Sequence, residues 1–153
     1  MKFLELKIPP ALLMLLFGFL MWLTAQALPQ LKVTWPWHEW VARAVFVLAF
    51  VLIAAGAYSF RKASTTVDPT RPEKATSVVS NGIYRVSRNP MYLGFLLMLL
   101  AFMFKLANPV TALLLPVFVV YMNQFQIKPE ERALLRLFGK SYAAYQNQVR
   151  RWI

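Results

Sequence analysis

Arg88, Asn89, Pro90 and Tyr92 stand where a polar, basic stretch turns into a solid apolar run, within VVSNGIYRVSRNPMYLGFLLMLL (Val78–Leu100). Asn89 is placed to cap a helix and Pro90 to be its first residue. The free N–H groups at such a helix start bind a carboxylate or phosphate, or do no more than begin the helix. Tyr84 and Tyr92 flank the corner and can stack on a ring or a cation. A second polar group lies in NQFQIKPEERALL (Asn123–Leu135), with Asn123, Gln124 and Gln126 ahead of Glu130 and Glu131. Either glutamate suits a cationic group of a ligand; the plainer alternative pairs both with nearby arginines. Other chemistries drop out. There is no cysteine and one histidine, His38, so thiol catalysis, disulfides and His- or Cys-based metal sites are excluded, as is any Ser-His-Asp or Cys-His arrangement.

The elements that must position these residues are apolar. Of the 153 residues, 59% are hydrophobic, which points to a membrane protein rather than a soluble domain. Four apolar runs stand out: Pro10–Leu28, Val41–Phe60, Met91–Leu106 and Val110–Ile127. A span takes roughly 17–25 residues, so the third run is short unless it extends through Asn89 and Ala107 with Lys105 snorkelling. Ala107–Val110 (ANPV) is a tight turn that makes a hairpin of the last two runs, and Pro116 should kink or loosen the fourth. The N-terminal MKFLELKIPP precedes an apolar run as a signal peptide would, but no A-x-A-like site follows, and the first span is read as retained.

The net charge of +11 raises the question of nucleic acid, but the apolar content assigns it to loops facing anionic lipid. Fourteen of the seventeen basic residues fall in the N-terminus, the Arg61–Asn89 loop or the tail; Lys32, Arg43 and Lys105 lie on the other side. By the positive-inside rule both termini and the middle loop are cytoplasmic. In the tail, Leu134, Phe138, Tyr142, Tyr145, Val149 and Trp152 recur at helical spacing, giving an amphipathic element suited to the inner leaflet. Gly139 and Ser141 divide it into two helices, with Ser141 as N-cap. The expected fold is all-α: an integral membrane bundle of about four transmembrane helices with a C-terminal amphipathic helix, in one domain, 1–153. Residues 1–60 form the first two helices, and 61–153 the loop, hairpin and tail.

SVVSNGIYRVSRNPMYLG (Ser77–Gly94) and EERALLRLFGKSYAAYQNQVRRW (Glu130–Trp152) resemble the two motifs of the isoprenylcysteine carboxyl methyltransferase and phospholipid methyltransferase superfamily. TTVDPTRPEKA (Thr65–Ala75) is similar to the stretch before the first motif in bacterial members. The resemblance spans roughly Thr65 to Trp152. It implies an S-adenosylmethionine-dependent integral membrane methyltransferase, in the bacterial inner membrane, with its site on the cytoplasmic face. It implies cofactor contacts at Thr76, Ser77, Val78, Val79, Tyr84, Asn89, Pro90, Met91, Tyr92 and Glu130. Arg88 and Glu131 are the catalytic candidates, and Gln126 occupies the position of a substrate-contacting arginine. That exchange, and Asn89 in place of a histidine, set the chain apart from the isoprenylcysteine enzymes; Lys128 would point elsewhere on a helix.

Methyl transfer from a sulfonium asks the protein for alignment and water exclusion, with a proton acceptor such as Glu131 or Tyr92 if the nucleophile is an amine. The expected partners are an apolar or lipid-like small-molecule acceptor, carrying a carboxylate, thiol or amine, and membrane lipid, with no nucleic acid. Oligomeric state stays open. Two alternatives stand beside this reading: an NADPH-dependent membrane reductase of the sterol-reductase type, and a non-catalytic small membrane protein or transporter. No Asp or Glu falls inside the four runs, where a proton-coupled exporter needs one.

Overall fold

The computed structural model describes residues 5–63 and 70–153. Lys2 and the Thr65–Pro69 part of the stretch singled out above lie outside the described residues. The described residues are helical, with no strand among them. Helix α1 runs Pro10–Ala27, α2 His38–Lys62 and α3 Pro90–Leu106. The fourth run is α-helical only over α4, Leu114–Tyr121, and continues without a break into α5, Lys128–Phe138; α6 is Lys140–Gln148. Three helical segments, Pro10–Ala27, His38–Lys62 and Pro109–Phe138, are long and apolar enough to cross a membrane. The 17 residues of α3 reach about 26 Å, somewhat less than the roughly 30 Å hydrocarbon core. The molecule is an all-α integral membrane bundle.

Small residues let α2 and α3 pack along their length. A Cβ on Gly94 would lie 2.5 Å from Ile53 Cγ1 and 2.9 Å from the Ala49 carbonyl oxygen, so the two backbones meet there. Helix α1 packs on the other side of α3, and Leu13, Phe17, Met21, Tyr92, Leu99, Phe118, Met122 and Ile127 form the main core. Phe17 meets Phe118 edge-on, with ring centroids 5.4 Å apart. The outer faces of α1 and α2 expose Leu15, Phe19, Phe46, Val47 and Phe50, as helices bathed in lipid do.

Two polar ends bound this apolar waist. At one end Val33 N–H donates to the Ala107 carbonyl at 2.7 Å, the Asn108 side-chain amide donates to the Leu28 carbonyl at 3.0 Å, and Lys105 pairs with Glu39 at 3.1 Å. Ala107 closes α3 in the left-handed region (φ 50°), confirming the tight turn of the hairpin. At the other end Leu6 N–H donates to the Phe125 carbonyl, and Arg132 pairs with Glu5 at 2.5 Å.

Three expectations are corrected. The fourth run begins as a 3-10 turn, Pro109–Leu113, and ends as a π-helical turn, Met122–Ile127, so it is not a uniform helix. Pro116 sits in the first turn of α4, where its missing N–H is tolerated; the largest departure from α geometry lies one to two turns later. In the tail, Gly139 at φ 49° makes the break and flanks α6, which leaves Ser141 inside the helix rather than at its cap.

Candidate functional site

The cavity lies at the end of the bundle where Arg88 and Asn89 lead into α3. Gly82, at φ 62°, turns the chain into a 3-10 turn, Gly82–Arg85, that buries Tyr84. Ser87, also buried, accepts the Asn89 N–H at 3.1 Å. Pro90 starts α3 as expected, but the Asn89 side chain does not cap it. Its amide donates instead to the Arg151 carbonyl at 2.9 Å.

That bond is one of several that sew residues 149–152 to this corner. Arg88 N–H donates to the Arg150 carbonyl at 3.0 Å. One terminal nitrogen of Arg88, Nη1, donates to the carbonyls of Gln146 (2.8 Å) and Val149 (2.6 Å). The other, Nη2, donates to Glu131 Oε1 at 2.7 Å. Arg151 holds the same carboxylate, through Nε at 3.1 Å and Nη2 at 2.6 Å. Trp152 Nε1 donates to Asn123 Oδ1 at 3.1 Å, on the π-helical turn.

Adjacent glutamates thus receive opposite treatment. Glu131 is buried between two guanidinium groups. Glu130 accepts from the Tyr92 hydroxyl at 2.5 Å and from Gln126 Nε2 at 2.8 Å, both neutral donors. Arg132, the cation next to it in the chain, goes to Glu5 instead. Pairing of both glutamates with arginines, the plainer alternative, therefore holds for Glu131 alone among the described residues.

The cavity encloses about 880 Å³ of space, part of it open to solvent, within the range of small-molecule sites. Ten of the residues expected from the sequence line it: Ser77, Val78, Val79, Tyr84, Arg88, Asn89, Met91, Tyr92, Glu130 and Glu131. Thr76, Pro90 and Gln126 do not; Pro90 and Gln126 are buried beside it, and Gln126 reaches it only through Glu130 and Tyr92. Lys128 is exposed and donates to Gln124, as its helical position requires.

Sequence reasoning missed Phe60, Pro72, Ala75 and Leu134, which also line the space, together with Tyr142 and Tyr145. The two tyrosines were visible as part of the apolar stripe of the tail. That stripe packs on Tyr84, Val78 and Val79, so lipid anchoring is not its only role. Phe60 meets Tyr84 edge-on at 5.4 Å, and the Tyr145 hydroxyl donates to the Tyr84 carbonyl at 2.7 Å. Burial pushes the Tyr84 and Tyr142 phenols well above their ordinary range and that of Tyr145 up to about 12, with the nearby Arg88 charge pulling the last back. Hydrogen bonding to Glu131 raises Arg151, itself only partly buried, above the usual guanidinium range. The wall is therefore aromatic and uncharged at neutral pH.

The phospholipid methyltransferase family model matches residues 37–141. The chain is 29% identical over 138 residues to protein-S-isoprenylcysteine O-methyltransferase A of Arabidopsis thaliana, covering 90% of this chain and 70% of that one. It is 28% identical over 121 residues to the B protein of the same plant, covering 79% and 61%. With the protein-S-isoprenylcysteine O-methyltransferase of Saccharomyces cerevisiae it shares 30% over 113 residues, covering 67% and 46%. The chain thus spans about three-fifths of the B protein and under half of the yeast one.

Proposed function

The chain belongs to the phospholipid methyltransferase family, and from that premise we propose that it is a membrane methyltransferase using S-adenosylmethionine on an apolar or lipid-like acceptor. The observation that carries this reading is a cavity at one polar end of a membrane bundle that sets a carboxylate with only neutral donors, Glu130, beside an aromatic wall. S-adenosylmethionine presents the complementary groups: two cationic centres and a flat heterocycle. When bound, it supplies a methyl group already activated on a sulfonium.

The residues present fit that ligand. Glu130 is available to a cation because Tyr92 and Gln126 orient it without neutralising it. Tyr84, Tyr142 and Phe60 offer rings against which a heterocycle can pack. Val78, Val79 and Leu134 keep water from the reacting atoms, which strengthens the remaining electrostatics. Arg88 and Glu131 act by position: their ion pair holds residues 149–152 across the corner, and Glu131, already matched by two cations, is a poor proton acceptor. Gln126 brings no positive charge, so a carboxylate acceptor finds no counter-ion there. The basic loop places the site on the cytoplasmic side, with the acceptor arriving from the bilayer.

The test is incubation of purified protein with methyl-labelled S-adenosylmethionine and a membrane extract. Label in a solvent-extractable product supports the reading. Absence of label, with NADPH oxidised instead, overturns it in favour of a reductase.

A further inference from the structure

Three charged side chains line the cavity: Arg88, Glu130 and Glu131. Glu131 is matched by two guanidinium groups and has little left for a ligand. The other two are incompletely used, and in opposite senses.

Arg88 commits both terminal nitrogens, one to two backbone carbonyls and the other to Glu131. Its Nε–H is buried and has no partner among the described residues. A buried N–H on a charged group is costly to leave unmatched, and natural interiors seldom do so without a reason. Glu130 is the converse. Both of its hydrogen bonds fall on Oε1, both come from neutral donors, and no cation reaches it among the described residues. Met91 and Tyr92, in the first turn of α3, line the same space, and the N-terminal end of that 17-residue helix adds partial positive charge beside Arg88.

One unmatched cationic donor and one carboxylate without a cation form the complement of an anion and a cation held close together. An α-amino acid carries that pair on a single carbon. A ribose diol would engage a carboxylate but would make no use of a charged N–H. We propose that Arg88 Nε–H and Glu130 form a receptor for an α-amino-acid zwitterion, taking respectively its carboxylate and its ammonium. The aromatic wall of Phe60, Tyr84 and Tyr142 is left to the heterocycle. This rests on the reading of the cavity as the S-adenosylmethionine site, and it fixes which end of that ligand lies at the α3 corner.

Calorimetry on the detergent-purified wild-type protein tests it with three probes: S-adenosylhomocysteine, its decarboxylated analogue and its deaminated analogue. Each truncated probe should bind at least about tenfold more weakly than the parent. In Glu130→Gln the penalty for deamination should shrink to about threefold or less, while that for decarboxylation persists, because each variant–ligand pair isolates one contact. The Arg88 Nε–H resonance in a nitrogen-15 correlation spectrum should move with the parent and deaminated probes and stay put with the decarboxylated one. This reads Arg88 without a substitution that would also detach residues 149–152. Equal affinity for the parent and either truncated probe overturns the receptor and leaves the cofactor reading standing. An unchanged deamination penalty in Glu130→Gln, or an Arg88 resonance that ignores the carboxylate, also overturns it. Failure of S-adenosylhomocysteine itself to bind removes both.

Discussion

Glu130 and Glu131 are adjacent in the chain, yet their substitution should have unlike consequences. Glu130→Gln keeps the shape and removes a charge that no cation compensates. It should weaken S-adenosylhomocysteine binding tenfold to a hundredfold, about 1.5–3 kcal/mol, and leave thermal unfolding in detergent nearly unchanged. Glu131→Gln should do the reverse. It leaves Arg88 buried without its carboxylate and frees Arg151, with a stability loss of about 3 kcal/mol, at the low end for a broken buried pair because Arg151 is one-third exposed. Equal effects of the two on binding would refute the division of labour. The tyrosines add a pH dependence. Tyr145 is raised from 10.0 in the unfolded chain to about 12 in the fold, so its contribution is fully present below pH 10 and is lost as pH rises towards 12. Stability should therefore be flat to pH 10 and fall beyond it, and Tyr145→Phe should flatten that fall. The sequence made the convergence of these side chains legible, because two local motifs carry most of them. It did not reveal which glutamate the arginines take. That depends on the phase of a helix, which no local pattern records.

The phase is set by the π-helical turn Met122–Ile127. One residue advances an α-helix by about 100°, and a π turn accommodates an extra residue without breaking the rod. Deleting the exposed Gln124 should restore α geometry and rotate α5 so that Glu130 leaves the cavity. The expected outcome is loss of measurable S-adenosylhomocysteine binding with helical content by circular dichroism preserved. Retained affinity would show that the turn is incidental. The four apolar runs were readable because hydropathy and length define a span. The π turn was not, because Met, Asn, Gln, Phe, Gln and Ile suit an α-helix equally well. Gly139 was identified as a break, but the cap was given to Ser141. The deciding factor is the positive φ of Gly139, a conformation that composition alone does not assign.

At the scale of the whole molecule, the charge asymmetry of the loops predicts the topology. Lys74 and Lys32 are both exposed and belong to opposite polar ends. In a chain without native cysteine, Lys74→Cys should react with an impermeant maleimide only from the cytoplasmic side and Lys32→Cys only from the other. Labelling of both from one side would refute the arrangement. The orientation of the bundle was thus legible in a count of basic residues. The closure of residues 149–152 over the α3 corner was not. It joins positions some sixty residues apart through backbone carbonyls, which any side-chain sequence could supply.

That closure also sets an order of events during synthesis. The partners that Arg88 and Asn89 need, the carbonyls of Val149, Arg150 and Arg151, are made only after every helix of the bundle. The spans can insert and pair as soon as they leave the ribosome, whereas the corner waits for a distant, late-arriving segment. A nascent chain halted after α5 should be lodged in the bilayer and resistant to extraction, yet unable to hold nucleoside ligands. Competence would appear in a single late step, uncoupled from insertion.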